Sequence, residues 1–325
     1  MSGRYIVTGG AGFIGSNLIE ALNKRGESHI LVVDELGQDE KWRNLVGLQY
    51  ADYWEKDEFR FHMRNDSLGE TDVVFHLGAC SSTTERNASF LADNNYRFSC
   101  ELCEWCLHHK ARLVYASSAA TYGDGSEGYN DDPEKIELLK PLNMYGYSKH
   151  MFDLWAARRG FFDKVAGVKY FNVYGPREEH KGDMRSMVHK AFCQINDSGK
   201  VRLFKSDHPD YRDGEQLRDF LYVRDAVAAT IFLAENHDAN GLFNCGSGKA
   251  RTWLDMMKAV FAAMRREPQI EFIAMPEALR SKYQYHTEAD ISRLRAAGYT
   301  APFTSLEDGV RDCIEQLLRN QSACR

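Results

Sequence analysis

The run RYIVTGGAGFIGSNLIEALNKRG near the amino terminus constrains the chain more than any other segment. Its β-branched, apolar start reads as a strand, Gly9, Gly12 and Gly15 as a tight turn, and the spacing that follows as a helix. HILVVDEL then supplies a second apolar strand, so the chain opens on a βαβ unit. Glycines at such a turn let the backbone bend sharply, approach a pyrophosphate and pack the helix on the strand, while the helix amino terminus offers free N–H groups to phosphates. A structural turn could use the same glycines; their place between strand and helix is what makes the dinucleotide reading the stronger one.

Asp34 closes the second strand, where a carboxylate accepts hydrogen bonds from an adenosine ribose and favours NAD. Lys41, Arg43 and Lys56 follow, and a cation there suits the extra phosphate of NADP. Each is equally readable as a solvated surface charge, so these residues alone leave the two cofactors balanced.

Further strands are expected in DVVFHLGA (72–79), ARLVYASS (111–118) and VAGVKYFN (165–172), with helical stretches between them. Nearly continuous apolar runs imply parallel strands buried on both faces and joined by right-handed crossovers. After Asn172 the chain becomes polar and loop-rich through EEHKGDM and SDHPDYRDGEQLRDF, before FLYVRDAVAATIFLAE and GLFNCGSG resume a strand–helix–strand pattern. The expectation is an α/β protein: a doubly wound Rossmann-type parallel sheet over residues 1–172 and a smaller mixed α/β substrate-binding domain over 173–325, with 218–247 returning to the Rossmann sheet.

With 43% hydrophobic and 27% charged residues the 325-residue chain has an ordinary globular composition, and a net charge of -6 leaves no electrostatic footprint for nucleic acid. No apolar run approaches the ~20 residues needed to cross a bilayer. The eight cysteines are scattered and no secretory leader is evident, so they read as reduced thiols of a cytoplasmic protein. Cys100, Cys103 and Cys106, with His108 and His109, come closest to a metal pattern, but they lie in a helical stretch without a second ligand pair, and no metal is expected.

In YGYSK, Tyr145 and Lys149 are four positions apart and share one helix face. A lysine ammonium beside a phenol stabilises the phenolate, drawing its pKa of ~10 toward neutrality and making Tyr145 a usable general base. Ser118 ends ARLVYASS at the carboxyl edge of the sheet, where ligands of parallel sheets bind and a hydroxyl can position a reacting oxygen. Singly these are an exposed helix pair and a cap residue; together, in this order behind the glycine turn, they form a catalytic set.

TGGAGFIG, ASSAATYG and YGYSK resemble the extended short-chain dehydrogenase/reductases, the group that holds nucleotide-sugar epimerases and dehydratases. Within it, HLGACSSTTE, DNNY, PLNMYGYSK, KYFNVYGPREEHKGDM, QLRDFLYV and LRAAGY are similar to the epimerases that act on an ADP-linked heptose. The resemblance implies inversion at heptose C6 through a transient ketone, on a cofactor that is tightly bound and recycled. It implies Tyr145 as acid/base for one epimer and Lys181 for the other; apart from the resemblance Lys181 reads as a loop lysine. For the cofactor it implies Gly9, Gly12, Phe13, Ile14, Gly15, Asp34, Glu35, Lys41, Lys56, Leu77, Gly78, Ala79, Cys80, Ser81 and Asn94, with Asn95 nearby and with Tyr145 and Lys149. Lys41 and Lys56 match family cofactor positions and favour NADP, with NAD as the alternative. For the ADP-heptose substrate it implies Ser118, Asn172, Val173, Lys181, Asp183, Lys190, Phe204, Lys205, Ser206, Asp207, Arg218 and Tyr283, with Arg218 on the diphosphate.

The resemblance also implies a homo-oligomer, with no nucleic-acid or membrane partner, that supplies heptose for the lipopolysaccharide core. FKSDHPDYRDGEQLRDF is a longer loop than the resemblance leads one to expect near the nucleotide end. Related dehydratases carry an acidic residue beside the serine where this chain has Ala119, Ala120 and Thr121, which argues against dehydration. Another nucleotide-sugar enzyme on the same scaffold is the nearest alternative; a non-catalytic NAD(P)-sensing protein would have no use for Ser118, Tyr145 and Lys149 together.

Overall fold

The computed structural model describes residues 3–280 and 283–319. Strand β1 (Tyr5–Thr8) leads through the glycine turn into α1 (Phe13–Lys24) and β2 (Ile30–Asp34), followed by β3 (Asp52–Glu55), α2 (Lys56–Arg64) and β4 (Val73–His76). Next comes α3 (Ala88–Leu91), which runs through a π turn at Ala92–Arg97 into α4 (Phe98–His109), and then β5 (Arg112–Ser118), α5 (Met144–Arg158) and β6 (Ala166–Tyr170). The remainder holds β7 (Asn172–Tyr174), α6 (Met187–Ser198), β8 (Val201–Phe204), β9 (Leu217–Tyr222), α7 (Val223–Glu235), β10 (Gly241–Cys245), β11 (Ala250–Thr252), α8 (Trp253–Ala263) and β12 (Ile270–Ile273). Helices α9 (Glu277–Arg280), α10 (Ser292–Ala296) and α11 (Leu306–Arg319) complete it.

Seven strands form one parallel sheet in the order β10-β6-β5-β4-β1-β2-β3. Strands β2, β6 and β10 are buried at every position, as strands covered by helices on both faces must be. One layer packs β1, β2 and β6 against α1 and α7 through Leu18, Ile19, Val227 and Ile231; the other packs the opposite face against α2, α4 and α5 through Phe59, Leu102, Cys103 and Phe152. Because the order reverses between β1 and β4, the loops after these strands diverge and leave a crevice at their carboxyl ends.

Beyond β6, the polypeptide builds a three-stranded sheet β11-β9-β7 and a parallel pair β12-β8, over a core supplied by α6, α8 and α11. Between β9 and β11 it returns through α7 to add β10 beside β6 in the main sheet, with Gly241 opposite Ala166 and Cys245 opposite Tyr170. Strand β3 has no counterpart in the apolar runs of the sequence. DYWE is an edge strand with both ends exposed, so burial imposes no hydrophobic pattern on it.

Cys103 and Cys106 are buried in the α4 layer, where burial pushes the Cys103 thiol up to about 12, and no metal-binding cluster occurs among the described residues. Among the described residues six cysteines are free thiols and Cys193 is disulfide-bonded, which departs from the all-reduced expectation. Among the described residues no helix is long and apolar enough to cross a membrane.

Candidate active site

Gly9 adopts φ +70, and a side chain there would bring Cβ within 2.7 Å of the Gly78 backbone nitrogen. A Cβ on Gly15 would overlap the Gly9 carbonyl oxygen and lie 2.8 Å from Gly10 Cα. The turn is thus closed on glycine, and it leaves the amino terminus of α1 open toward a cavity of ≈ 470 Å³ lined by Gly9, Gly12, Phe13, Ile14 and Gly15. The crevice between the loops after β1 and β4 brings Leu77, Gly78, Ala79, Cys80 and Ser81 to the same cavity. Asn95 sets that second loop: its amide donates to Cys80 O and accepts from Cys80 N, both at 2.9 Å, and also donates to Ser148 Oγ on α5.

An adjoining cavity of ≈ 310 Å³ is bounded by Asp34, Glu35, Lys41, Lys56, Phe90 and Asn94. Asp34 is buried and accepts from Ala11 N at 2.8 Å through one oxygen, while Lys41 Nζ lies 2.5 Å from the other. Lys56 Nζ bridges Glu35 Oε2 at 2.9 Å and Asn94 Oδ1 at 3.1 Å. Two ammonium groups therefore face the space where a ribose would sit beside Asp34. A glycine cradle that no Cβ fits, a helix amino terminus and this charged end suit a nicotinamide dinucleotide.

Ser118, Tyr145 and Lys149 line the larger cavity. Ser118 caps a 3-10 turn (Ala119–Tyr122), accepting from Ala120 N at 3.1 Å, so the cap reading of this serine is correct, and it also hydrogen-bonds Tyr145. Asn143 caps α5 by accepting from Gly146 N at 2.8 Å. At Gly146 a Cβ would come within 2.7 Å of Ala120 O, which is why the YGYSK motif can press Tyr145 close to Ser118. Lys149 is 4% exposed and donates to Ala116 O at 2.9 Å.

Burial pushes Lys149 down to about 8, with the Asp153 carboxylate opposing. Burial also raises Tyr145, with the Ser118 hydrogen bond lowering it. Beneath them Asp153, 0% exposed, accepts from Lys169 Nζ at 2.8 Å, Ser117 Oγ at 2.6 Å and Tyr115 OH at 2.9 Å.

Val173 of β7 and His180, Lys181 and Met184 of the segment after it close the cavity. Lys181 Nζ lies 3.3 Å from Glu178 Oε2 and 4.8 Å from the centre of the Phe13 ring. The remaining substrate residues expected by resemblance do not line either cavity. Asn172 is exposed and accepts from Thr287 Oγ1 at 3.5 Å; burial lowers Lys190, with the Asp183 charge opposing.

Arg218 lies over the Tyr283 ring at 5.1 Å and the Trp253 ring at 5.7 Å, with its guanidinium donating to the Leu217 and Gln284 carbonyls. Phe204 ends β8, followed by Lys205; Ser206 N donates to Asp213 Oδ1 at 2.7 Å and Asp207 pairs with Arg280 at 3.0 Å. The long loop places the His208 and Tyr211 rings 4.9 Å and 5.6 Å from Tyr285.

Sequence reasoning missed His180, Met184, Phe171 and Phe90. The first three lie inside KYFNVYGPREEHKGDM, but nothing in their residue type marks them as site residues. His180 is held by Asn44, whose Nδ2 donates to Nδ1 at 3.1 Å and also to Ala11 O at 2.9 Å; burial, helped by Lys41 and Lys181, pushes the ring down to about 4 and keeps it neutral.

A dinucleotide cradle that opens onto a serine, a tyrosine and a lysine defines an enzyme of the nicotinamide-dependent sugar-modifying kind, and the chain belongs to the NAD dependent epimerase/dehydratase family, whose model matches residues 5–246. A protein of Nitratidesulfovibrio vulgaris (strain DP4) named ADP-L-glycero-D-manno-heptose-6-epimerase is 56% identical over 97% of this chain and 98% of its own. The crystal structure of the Helicobacter pylori enzyme of that name is similar with a TM-score of 0.81 and 27% identity, covering 98% of this chain and 96% of that one. UDP-glucose 4-epimerase of Thermus thermophilus in complex with NAD gives a TM-score of 0.73 at 25% identity, over 97% and 99% of the two chains.

Proposed function

We propose that this enzyme inverts C6 of the heptose in ADP-D-glycero-D-manno-heptose, giving the L-glycero epimer. The observation that carries the reading is the convergence of Ser118, Tyr145, Lys149 and Lys181 on one cavity next to the glycine turn. The 56% identity to a relative bearing that name supports the substrate. When bound, NAD(P) accepts and returns the hydride, so no net oxidation results.

Ser118 holds the reacting oxygen by a hydrogen bond. Tyr145 exchanges the hydroxyl proton of one epimer, with the Lys149 ammonium stabilising its phenolate, and Lys181 exchanges that of the other, since the two alcohols direct their protons differently. Val173 borders the sugar. The positions outside the two cavities, namely Asn172, Asp183, Lys190, Phe204 to Asp207, Arg218 and Tyr283, take part in substrate binding, Arg218 at the diphosphate.

The paired ammonium groups of Lys41 and Lys56 favour NADP over NAD. Residues 1–172 with β10 form the cofactor-binding part and most of 173–325 the substrate-binding part. The enzyme works as a cytoplasmic homo-oligomer in the supply of lipopolysaccharide core heptose.

The test is nuclear magnetic resonance of purified protein with ADP-D-glycero-D-manno-heptose. Inversion at C6 without net reduced nicotinamide is expected. No reaction, even with NADP+ and NAD+ added, refutes the substrate and points to another sugar nucleotide.

A further inference from the structure

A lysine side chain on a loop samples many rotamers, and holding it in one costs conformational entropy. The surroundings of Lys181 show what holds it. Glu178 stands one turn earlier, is 0% exposed, and places Oε2 3.3 Å from Lys181 Nζ. The same oxygen accepts Ser186 N at 2.8 Å, and Oε1 accepts Gly175 N at 3.2 Å. One buried carboxylate thus ties together both ends of segment 175–186 and the ammonium carried in its middle.

The segment is in turn fastened to the cofactor helix. Arg177 takes a left-handed backbone, φ +75, which is unfavourable for a non-glycine residue. Its guanidinium offsets that cost by donating to Ser16 O at 3.1 Å and Asn44 O at 3.2 Å, and Asn17 Nδ2 donates to Pro176 O at 3.1 Å. Glu178 is therefore a fixed point, whereas Lys181 is half-buried at the cavity wall with the Phe13 ring on its other side.

A buried carboxylate requires donors, and two backbone N–H groups serve that need and close the loop. The ammonium is a third donor on a group already hydrogen-bonded. We propose that Glu178 is a positioning residue: its carboxylate holds Lys181 Nζ at the cavity, in the place from which it exchanges a proton with the heptose oxygen. This rests on the reading of Lys181 as the second proton-exchange group.

The test uses purified holoenzyme of wild type, E178Q, K181M and Y145F, mixed with each epimer in turn. The rate at which reduced nicotinamide appears is followed by its near-ultraviolet absorbance. Gln keeps the size and one of the two loop-closing acceptor oxygens but removes the charge opposite Lys181, so the asymmetry between epimers is the readout that separates positioning from loop closure. E178Q is expected to slow cofactor reduction from one epimer roughly tenfold or more, with KM within about threefold and the other epimer unaffected, as an ångström-scale misplacement of one proton-exchange group predicts.

K181M must show the same one-sided loss and Y145F the opposite one. A role in loop closure alone would slow both epimers alike; that result, or no slowing of either, overturns the proposal while leaving Lys181 in place if K181M stays one-sided. If K181M is itself even-handed, the second-group reading falls and Glu178 with it. Should E178Q not fold, E178D carries the same test, because it keeps the charge but withdraws it by one methylene.

Discussion

Gly15→Ala sets two effects of opposite sign against each other. Alanine in place of glycine within a helix ordinarily gains up to ~1 kcal/mol. Here the new Cβ would overlap the Gly9 carbonyl oxygen and approach Gly10 Cα to 2.8 Å, against an ordinary carbon–carbon separation of ~3.5–4.0 Å. The turn must open by roughly 0.7–1.2 Å to relieve the carbon contact alone. Overpacking of that size costs ~1–3 kcal/mol, so the apoprotein should lose about 0–3 kcal/mol net.

The larger consequence is for the cofactor. Opening the turn withdraws the α1 amino terminus from the phosphates, and one charge-assisted hydrogen bond is worth ~1.5–3 kcal/mol, so affinity should fall roughly 10- to 100-fold. Titration of cofactor into apoprotein measures this, and the rise in melting temperature at saturating cofactor provides a second readout. If G15A binds within threefold of wild type and melts at the same temperature, the claim that this turn is closed on glycine is wrong.

Lys149 titrates near 8 folded and near 10.5 unfolded, so between those values the unfolded chain binds the extra proton and the contribution of this residue to stability rises with pH. The wild-type minus K149M unfolding free energy should therefore climb by about 3 kcal/mol at most from pH 7.5 to 10.5 in urea titrations; a flat difference contradicts the burial argument. K169M leaves the Asp153 carboxylate buried beside two hydroxyls, and a loss of ~3–5 kcal/mol in urea unfolding is expected, with less than ~1 kcal/mol counting against a buried charge. Combined K41A and K56A should weaken NADP at least tenfold relative to NAD, measured as a ratio of dissociation constants; an unchanged ratio would remove the lysines from cofactor selection.

The parts of this enzyme that were legible in its sequence are those whose chemistry demands one residue type at one spacing. The glycine turn needs bare backbone at Gly9 and Gly15, and the strands on either side are apolar because helices cover both faces of the sheet. Tyr145 and Lys149 are readable because a helix fixes their separation. Strand β3 left no signal, since an edge strand lies under no hydrophobic constraint. The spread of Arg218, Tyr283 and Phe204 to Asp207 over separate elements depends on tertiary placement that no local pattern encodes. Glu178 is the sharpest case: in sequence it is one of two adjacent loop glutamates, and its burial and donors appear only in three dimensions.

Strand β10 gives synthesis on the ribosome a delicate interval. Residues Ala166–Tyr170 pair on one side with β5, but their other side waits for Gly241–Cys245, about 70 residues further along. At roughly 5–20 residues per second that is an interval of about 4–15 s during which a strand buried at every position in the finished fold presents an open edge. The nascent chain is most exposed to aberrant association in that window, and chaperone demand should fall sharply once the segment through Cys245 has left the exit tunnel.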